Sequence, residues 1–133
     1  MIKLVRLDYR LLHGQVVFSW TGHVGAQRII VVDDDAANDE MKKSALLLSK
    51  PAGVRVNIFT VDKAIAKMPK VEQLDEKIMM IFGNTAALLK FCQAYPKIKE
   101  INYGAVANKP GSKAFDQSVF LTCLLYTSDA ADE

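Results

Sequence analysis

Arg28-Ile29-Ile30-Val31-Val32-Asp33 is the stretch that decides the fold. Four β-branched residues in a row crowd a helix but suit a pleated strand. No polar residue interrupts the run, so both faces of that strand need cover. A mainly parallel sheet with helices on each side supplies it. Three aspartates, Asp33 to Asp35, close the run.

Working outward, Ile2–Leu7, Val54–Phe59, Lys77–Phe82 and Ile98–Tyr103 also read as strands. Helical periods fall between them, over Gly14–Val24, Asp39–Ser49, Val61–Lys67 and Thr85–Ala94. In Asp39–Ser49, Met41, Ala45 and Leu48 form an apolar stripe, with Lys42, Lys43 and Lys50 away from it. Asn38 is the expected N-cap of that helix, and Asn84 or Thr85 that of the last one. Pro51-Ala52-Gly53 ends the first of these helices, and Pro69 is expected to stop the helix before it. Gly104, Pro110 and Gly111 mark a loop or hairpin, followed by a last apolar stretch, Val119–Leu121. The expected fold class is α/β, an open, mainly parallel β-sheet with helices on both faces. No repeat, linker or second domain interrupts it.

Composition agrees. The chain has 133 residues, half of them apolar and 24% charged, with 7 Gly and 4 Pro, which is globular rather than disordered or low-complexity. A net charge of +2 is too small for a nucleic-acid binder. Cys92 and Cys123 are too few for a disulfide scaffold or a four-cysteine zinc site. No apolar run approaches the roughly 20 residues of a membrane span. Charged Lys3 and Arg6 break the N-terminal apolar stretch, which is therefore not a secretory signal. The expectation is a soluble, cytosolic domain with no metal and no cofactor.

Ligands of open α/β sheets sit beyond the carboxyl ends of the strands. Asp8-Tyr9-Arg10-Leu11-Leu12-His13-Gly14-Gln15-Val16 follows the first strand and carries a carboxylate, a guanidinium and an imidazole within six residues. Gly14 lets backbone approach a ligand, and the free amides of a helix start favour an anion. Arg10 offers a rigid fork of donors matched to phosphoryl oxygens. His13 is in large part neutral near pH 7 and can act as a nucleophile. The set suits an imidazole that takes and passes on a phosphoryl group. A histidine at such a junction also serves as an exposed capping residue, and Asp8 with Arg10 as an ordinary surface pair. The residues alone leave both readings open.

Asp8-x-Arg10-Leu11-x-His13-Gly14-Gln15-Val16, followed by Trp20, closely resembles the active-site signature of IIB subunits of the mannose/fructose/sorbose phosphotransferase-system (PTS) family. Arg28–Asp34, Ala37-Asn38-Asp39, Pro51-x-Gly53-Val54 and Ile101-Asn102-x-Gly104 continue the resemblance to about residue 122. It implies a sugar phosphotransferase subunit, a protein-Nπ-phosphohistidine–sugar phosphotransferase, in which His13 accepts a phosphoryl group from a phosphorylated IIA partner. The group then passes to a sugar imported by membrane subunits IIC and IID. Arg10 would steady the phosphoryl oxygens and Asp8 would orient Arg10 or the imidazole. Leu11, Gly14 and Gln15 would join Arg10 in binding the phosphate. The implied location is cytoplasmic, peripherally associated with the membrane transporter; no nucleic acid is involved, and a homo-oligomer stays open. Tyr9 and Leu12 depart from the family's usual Asp and Ile without removing a reactive group.

Other features rank below this loop. Asp34 is a second-shell guess for positioning His13, and Asp33–Asp35 otherwise read as a polar strand end or helix lead-in. His23 has no local partner. Trp20 reads equally as core or docking surface, Met79 and Met80 as core, and Cys92 as a packed thiol. The competing functions are a non-enzymatic α/β phosphate-binding or regulatory module and a histidine phosphatase. The latter needs a second histidine in the pocket, for which His23 is poorly placed.

Residues 123–133 do not continue the family pattern. They resemble the translation of a transposon-end adapter used in sequencing libraries. The expected domain layout is thus 1–122, a IIB domain incomplete at its C-terminus, and 123–133, a non-native tail. A chain cut near Thr122 would expose sheet edge and core surface, at a risk to stability and activity. Without the tail, 17 basic residues face 12 acidic ones, or +5, and Cys92 is the remaining cysteine.

Overall fold

The computed structural model describes residues 1–12, 15–96 and 101–103. Five strands form one sheet: β1 (Ile2–Leu7), β2 (Arg28–Val32), β3 (Arg55–Phe59), β4 (Ile78–Phe82) and β5 (Asn102–Tyr103). Their order is β3-β2-β4-β1-β5, and every pairing is parallel. The helices between them are α1 (Gln15–Val24), α2 (Asp34–Ala37), α3 (Glu40–Leu48), α4 (Val61–Glu72) and α5 (Thr85–Ala94). The open α/β class expected from the alternation is the class observed. Of the expected fifth strand, Asn102 and Tyr103 pair with Arg6 and Leu7, while 97–100 lie outside the described residues. The Gly104–Gly111 loop, Val119–Leu121 and the tail lie outside them too.

Alternation of side chains along the strands divides the core in two. Val5, Leu7, Ile30, Val32, Met80 and Phe82 pack under α4 and α5. Ile29, Val31, Met79 and Ile81 point the other way, toward Leu12, Ala36 and Leu46, with Trp20 half-buried among them. Met79 and Met80 are both core, one on each face. Phe91 of α5 lies against Phe82, with ring centroids 5.1 Å apart. Cys92 beside it is buried in the same core, packed as expected.

Three expectations need correction, each for a physical reason. Pro69 does not stop α4, which runs on to Glu72. A proline inside a helix costs about 3 kcal/mol. Burying Met68 and Val71 beyond the expected end offsets it, at roughly 1.5–3 kcal/mol each. Asn38 is not the N-cap of α3. It is the C-cap of the short α2, and the Asp39 carboxylate accepts from the amides of Met41 (2.9 Å) and Lys42 (3.2 Å) instead. Finally, the stripe of Met41, Ala45 and Leu48 faces out, with Met41 83% and Leu48 88% exposed. Leu46, about 140° around the helix from Met41, is the α3 residue that enters the core. Periodicity identifies an apolar sector, but α3 has two, and only contact with the sheet chooses between them.

Leu46→Ala should therefore lower the unfolding free energy by about 2–5 kcal/mol. Leu48→Ala should change it by no more than about 0.5 kcal/mol. Urea unfolding of the two variants checks this, and the reverse order would restore the inward-facing stripe.

Candidate active site

In the order β3-β2-β4-β1-β5, the chain leaves β1 toward β2 and leaves β4 toward β5. Connections that depart in opposite directions open a crevice between the carboxyl ends of β1 and β4. The backbone at that point is tied together: the Asp8 amide donates to the Phe82 carbonyl at 2.9 Å. The loop expected to carry the chemistry thus starts at the topological switch point.

Asp8 is the anchor of that loop, with its side chain fully buried. Arg6, two residues earlier on the same face of β1, donates to Oδ2 at 3.1 Å and is itself buried. Arg10 reaches back with a fork, Nε to Oδ1 at 3.1 Å and a terminal N–H to Oδ2 at 3.0 Å. The Arg10 backbone amide adds a third bond to Oδ1, at 3.0 Å. Burial pushes the Asp8 carboxyl pKa up. The Arg10 hydrogen bonds and the charges of Arg10 and Arg6 outweigh that and hold it below the ordinary aspartate value. Arg10 is raised, through its hydrogen bond to Asp8 and then by that carboxylate's charge. Its side chain remains 37% exposed, so the guanidinium stands at the crevice rim. An ordinary surface pair would not have its carboxylate sealed beneath it.

The turn after Asp8 is closed by the Leu11 amide donating to the Asp8 carbonyl at 3.0 Å. Leu11 adopts φ +56°, a left-handed conformation that costs a non-glycine residue about 1–2 kcal/mol. Burial of Leu11 and Leu12 in the core compensates for it. Among the described residues Leu11 is the non-glycine residue at positive φ, a position the sequence pattern did not single out. His13 and Gly14 lie outside the described residues; Gln15 opens α1. The structure therefore brings Asp8, Arg10 and Leu11 together on the approach to His13.

The three aspartates after β2 have three different partners. Asp33 caps α2, accepting from the Ala36 amide at 2.9 Å, and burial raises its pKa in spite of that bond. Asp34, expected to position His13, accepts from the Val61 amide at 2.8 Å and so ties α2 to the start of α4. Asp35 pairs with Lys42. The aspartate nearest the crevice is Asp33. A Cβ built on Gly83, the residue after β4, would lie 2.3 Å from Asp33 Oδ1 and 3.2 Å from Leu11 Cδ2. Gly83 has no room for a side chain because the Asp33 carboxylate and the Leu11 side chain close over it. Sequence reasoning missed Arg6 and Asp33 in these roles. The available signal for Arg6 was a charge two positions before Asp8, on the same strand face. His23 is exposed at the end of α1, edge-on to Trp20 at 5.5 Å, and no part of the crevice.

Comparison with known proteins bears on the family and the fold. A family model described as "PTS system sorbose subfamily IIB component" matches residues 2–123. A sorbose-specific EIIB component of Klebsiella pneumoniae is 36% identical over 120 residues, covering 90% of this chain and 73% of the relative. A fructose-specific EIIB component of Bacillus subtilis is 31% identical over 121 residues, covering 91% and 74%. The crystal structure of the sorbose permease IIB domain from Klebsiella pneumoniae superposes with a TM-score of 0.75 at 36% identity, over 84% of this chain and 68% of that one.

Because its carboxyl is held below the ordinary value of about 3.9, Asp8 stabilises the fold above that pH, and the effect fades as pH falls through the lower folded value. Asp33, raised, acts with the opposite sign. Asp8→Asn should cost about 3–5 kcal/mol at pH 7, since it leaves buried Arg6 without the carboxylate charge. The gap from wild type should narrow by pH 3, read from urea unfolding at both pH values.

Proposed function

Because the chain belongs to the sorbose subfamily of PTS IIB components, a sugar phosphotransferase subunit, we propose that His13 is its phosphoryl acceptor and that Arg10 and Asp8 are the groups that prepare it. The observation that carries this reading is the Asp8–Arg10 fork, held at the switch-point crevice with Arg10 three residues before the histidine. The His13 imidazole attacks the phosphorus of a phosphohistidine on the IIA partner. A new N–P bond forms as the IIA N–P bond breaks and its imidazole leaves. A sugar hydroxyl then attacks that phosphorus, releases the His13 nitrogen and loses its proton, yielding the phosphate ester. The reaction is that of a protein-Nπ-phosphohistidine–sugar phosphotransferase.

Phosphoryl transfer asks a protein mainly for alignment and charge neutralisation. Asp8 occupies Arg10 Nε and one terminal N–H, leaving the other donors of the guanidinium for phosphoryl oxygens. The amides of Gly14 and of Gln15, the first residue of α1, are our further candidates for the phosphate, helped by the helix dipole; the Leu11 amide is already committed to the Asp8 carbonyl and contributes through the turn it closes. A carboxylate beneath the arginine holds the fork flat and limits the charge presented, so that the phosphoryl group is steadied and still released.

The partners in this reading are a phosphorylated IIA protein or domain and the membrane subunits IIC and IID, with the chain working on the cytoplasmic side. Among the described residues no helix is long and apolar enough to cross a membrane. A mannose-specific EIIAB component of Escherichia coli is similar at 33% identity, with 37% of its length covered. Relatives named for sorbose, mannose, N-acetylgalactosamine and fructose match at 31–36% identity, so similarity selects no one sugar.

Incubation with phosphoenolpyruvate, enzyme I, HPr and a cognate IIA should give an acid-labile phosphoryl adduct. His13→Ala should abolish it; an equal adduct on that variant would refute the assignment, and reversible phosphate binding without an adduct would favour a regulatory module. Arg10→Ala should slow transfer by about 10²–10³-fold while leaving the circular dichroism spectrum unchanged.

We propose in addition that residues 1–122 form the IIB domain and that 123–133 are adapter-derived; the family match ending at residue 123 supports this. Sequencing the genomic locus past codon 122 should show a different continuation. Native DNA encoding Cys123–Glu133 would overturn the proposal.

A further inference from the structure

β3 ends the sheet on one side among the described residues, and α4 crosses beside it. Between them runs an open groove of about 350 Å³. Its floor is apolar at Ile30, Phe59, Val71 and Leu74, and beside them lie Arg28 and Asn57, bonded to each other. Its rim is cationic. Lys63, Lys67 and Lys70 stand at i, i+4 and i+7 of α4, on one face of the helix. The Lys63 ammonium lies over the Phe59 ring, 5.3 Å from its centroid.

Charges elsewhere around the groove are already matched. Arg28 and Arg55 share Glu76, Asp62 holds Lys90, and Glu72 bonds Tyr95. Among the described residues no carboxylate lies within 4 Å of Lys63, Lys67 or Lys70. Lysines alone can guard a sheet edge against aggregation. Guards need no apolar floor, however, and here Phe59 and Leu74 are left half-buried beneath them.

We propose that this groove and the β3 edge form a docking surface for an extended, acidic segment of a partner protein, added beside β3 as a further strand. The match is two-sided. In an added strand, alternate side chains face opposite sides of the sheet. Carboxylates on the α4 side meet the lysine row. Apolar residues on the other side cover Val56 and Ile58, which the present sheet leaves half-buried. From Lys63 to Lys70 the helix rises about 10 Å, the length of about three extended residues. A second copy of the chain is the poorer occupant. Antiparallel pairing of β3 with β3 about a two-fold axis normal to the sheet would set the two lysine rows side by side. The surface lies off the β1–β4 crevice, so docking here leaves His13 chemistry free to proceed.

The test uses the full chain and a labelled probe, acetyl-Glu-Val-Glu-Ile-Glu-Val-amide. Anisotropy should show binding that weakens at least about tenfold between 0.05 and 0.5 M salt, because exposed charges are screened. The amide signals of β3 and α4 should shift on binding. The combined variant Lys63→Gln, Lys67→Gln, Lys70→Gln should lose at least about tenfold in affinity yet accept phosphate at the wild-type rate. That last readout separates a failure here from a failure of the His13 reading. Equal binding of a probe with Lys in place of Glu would overturn the proposal. So would absence of probe binding at millimolar concentration. Lysine-dependent binding to phosphatidylglycerol vesicles without probe binding would assign the surface to a membrane instead. A concentration-dependent dimer mapped to β3 would assign it to a second copy.

Discussion

β4 has no solvent face: Ile78 to Phe82 are all at zero exposure. A strand buried on both sides must have a neighbour at each edge and a helix layer on each face. That requirement places β1 and β2 beside it, α4 and α5 under one face, and α1 to α3 over the other. It also decides where the chain must reverse. The connections from β1 and β4 part in opposite directions at their carboxyl ends, and the crevice they leave is where Asp8, Arg10 and Gly83 converge.

Within that crevice, sealing Asp8 beneath two arginines is the second constraint. A buried carboxylate without partners would be expelled or protonated; one that accepts four hydrogen bonds stays charged and orders its donors. With its amide bonded to the Phe82 carbonyl and its carbonyl accepting from the Leu11 amide, the residue joins strand, turn and guanidinium in one unit. The strained Leu11 is tolerated for the same reason, since Leu11 and Leu12 are held by the core on one side and the Asp8 turn on the other. Strain at Leu11 suits a loop built to present the proposed phosphoryl acceptor rather than to fold cheaply.

The outer parts of the molecule follow weaker rules. α3 contributes only Leu46 to the core, and its exposed Met41 and Leu48 show how little tertiary packing specifies that helix. The β3 edge is likewise half-covered, with lysines along α4 above it. Burial falls off from the centre of the sheet outward, and the surfaces open to recognition lie where it has fallen furthest.

The residue pattern by itself determined the strands, their parallel arrangement and the loop that follows β1, because unbroken β-branched runs and a dense polar signature are local properties. Met79 and Met80 as core and the chain region of the site were legible for that reason. The helix through Pro69, the outward stripe of α3, the left-handed Leu11 and the sealed Arg6–Asp8–Arg10 set were not. The first three depend on partners distant in sequence; the Arg6–Asp8–Arg10 set is local in sequence, and only its sealing depends on β4 and the core around it. Val71 and Met68 carry α4 past a proline only because the sheet lies beneath them. Asp33 meets Gly83 only because β2 and β4 are neighbours. Local chemistry chooses the elements; which of their faces is buried, and which charge is sealed against which, is settled when the sheet brings distant residues into contact.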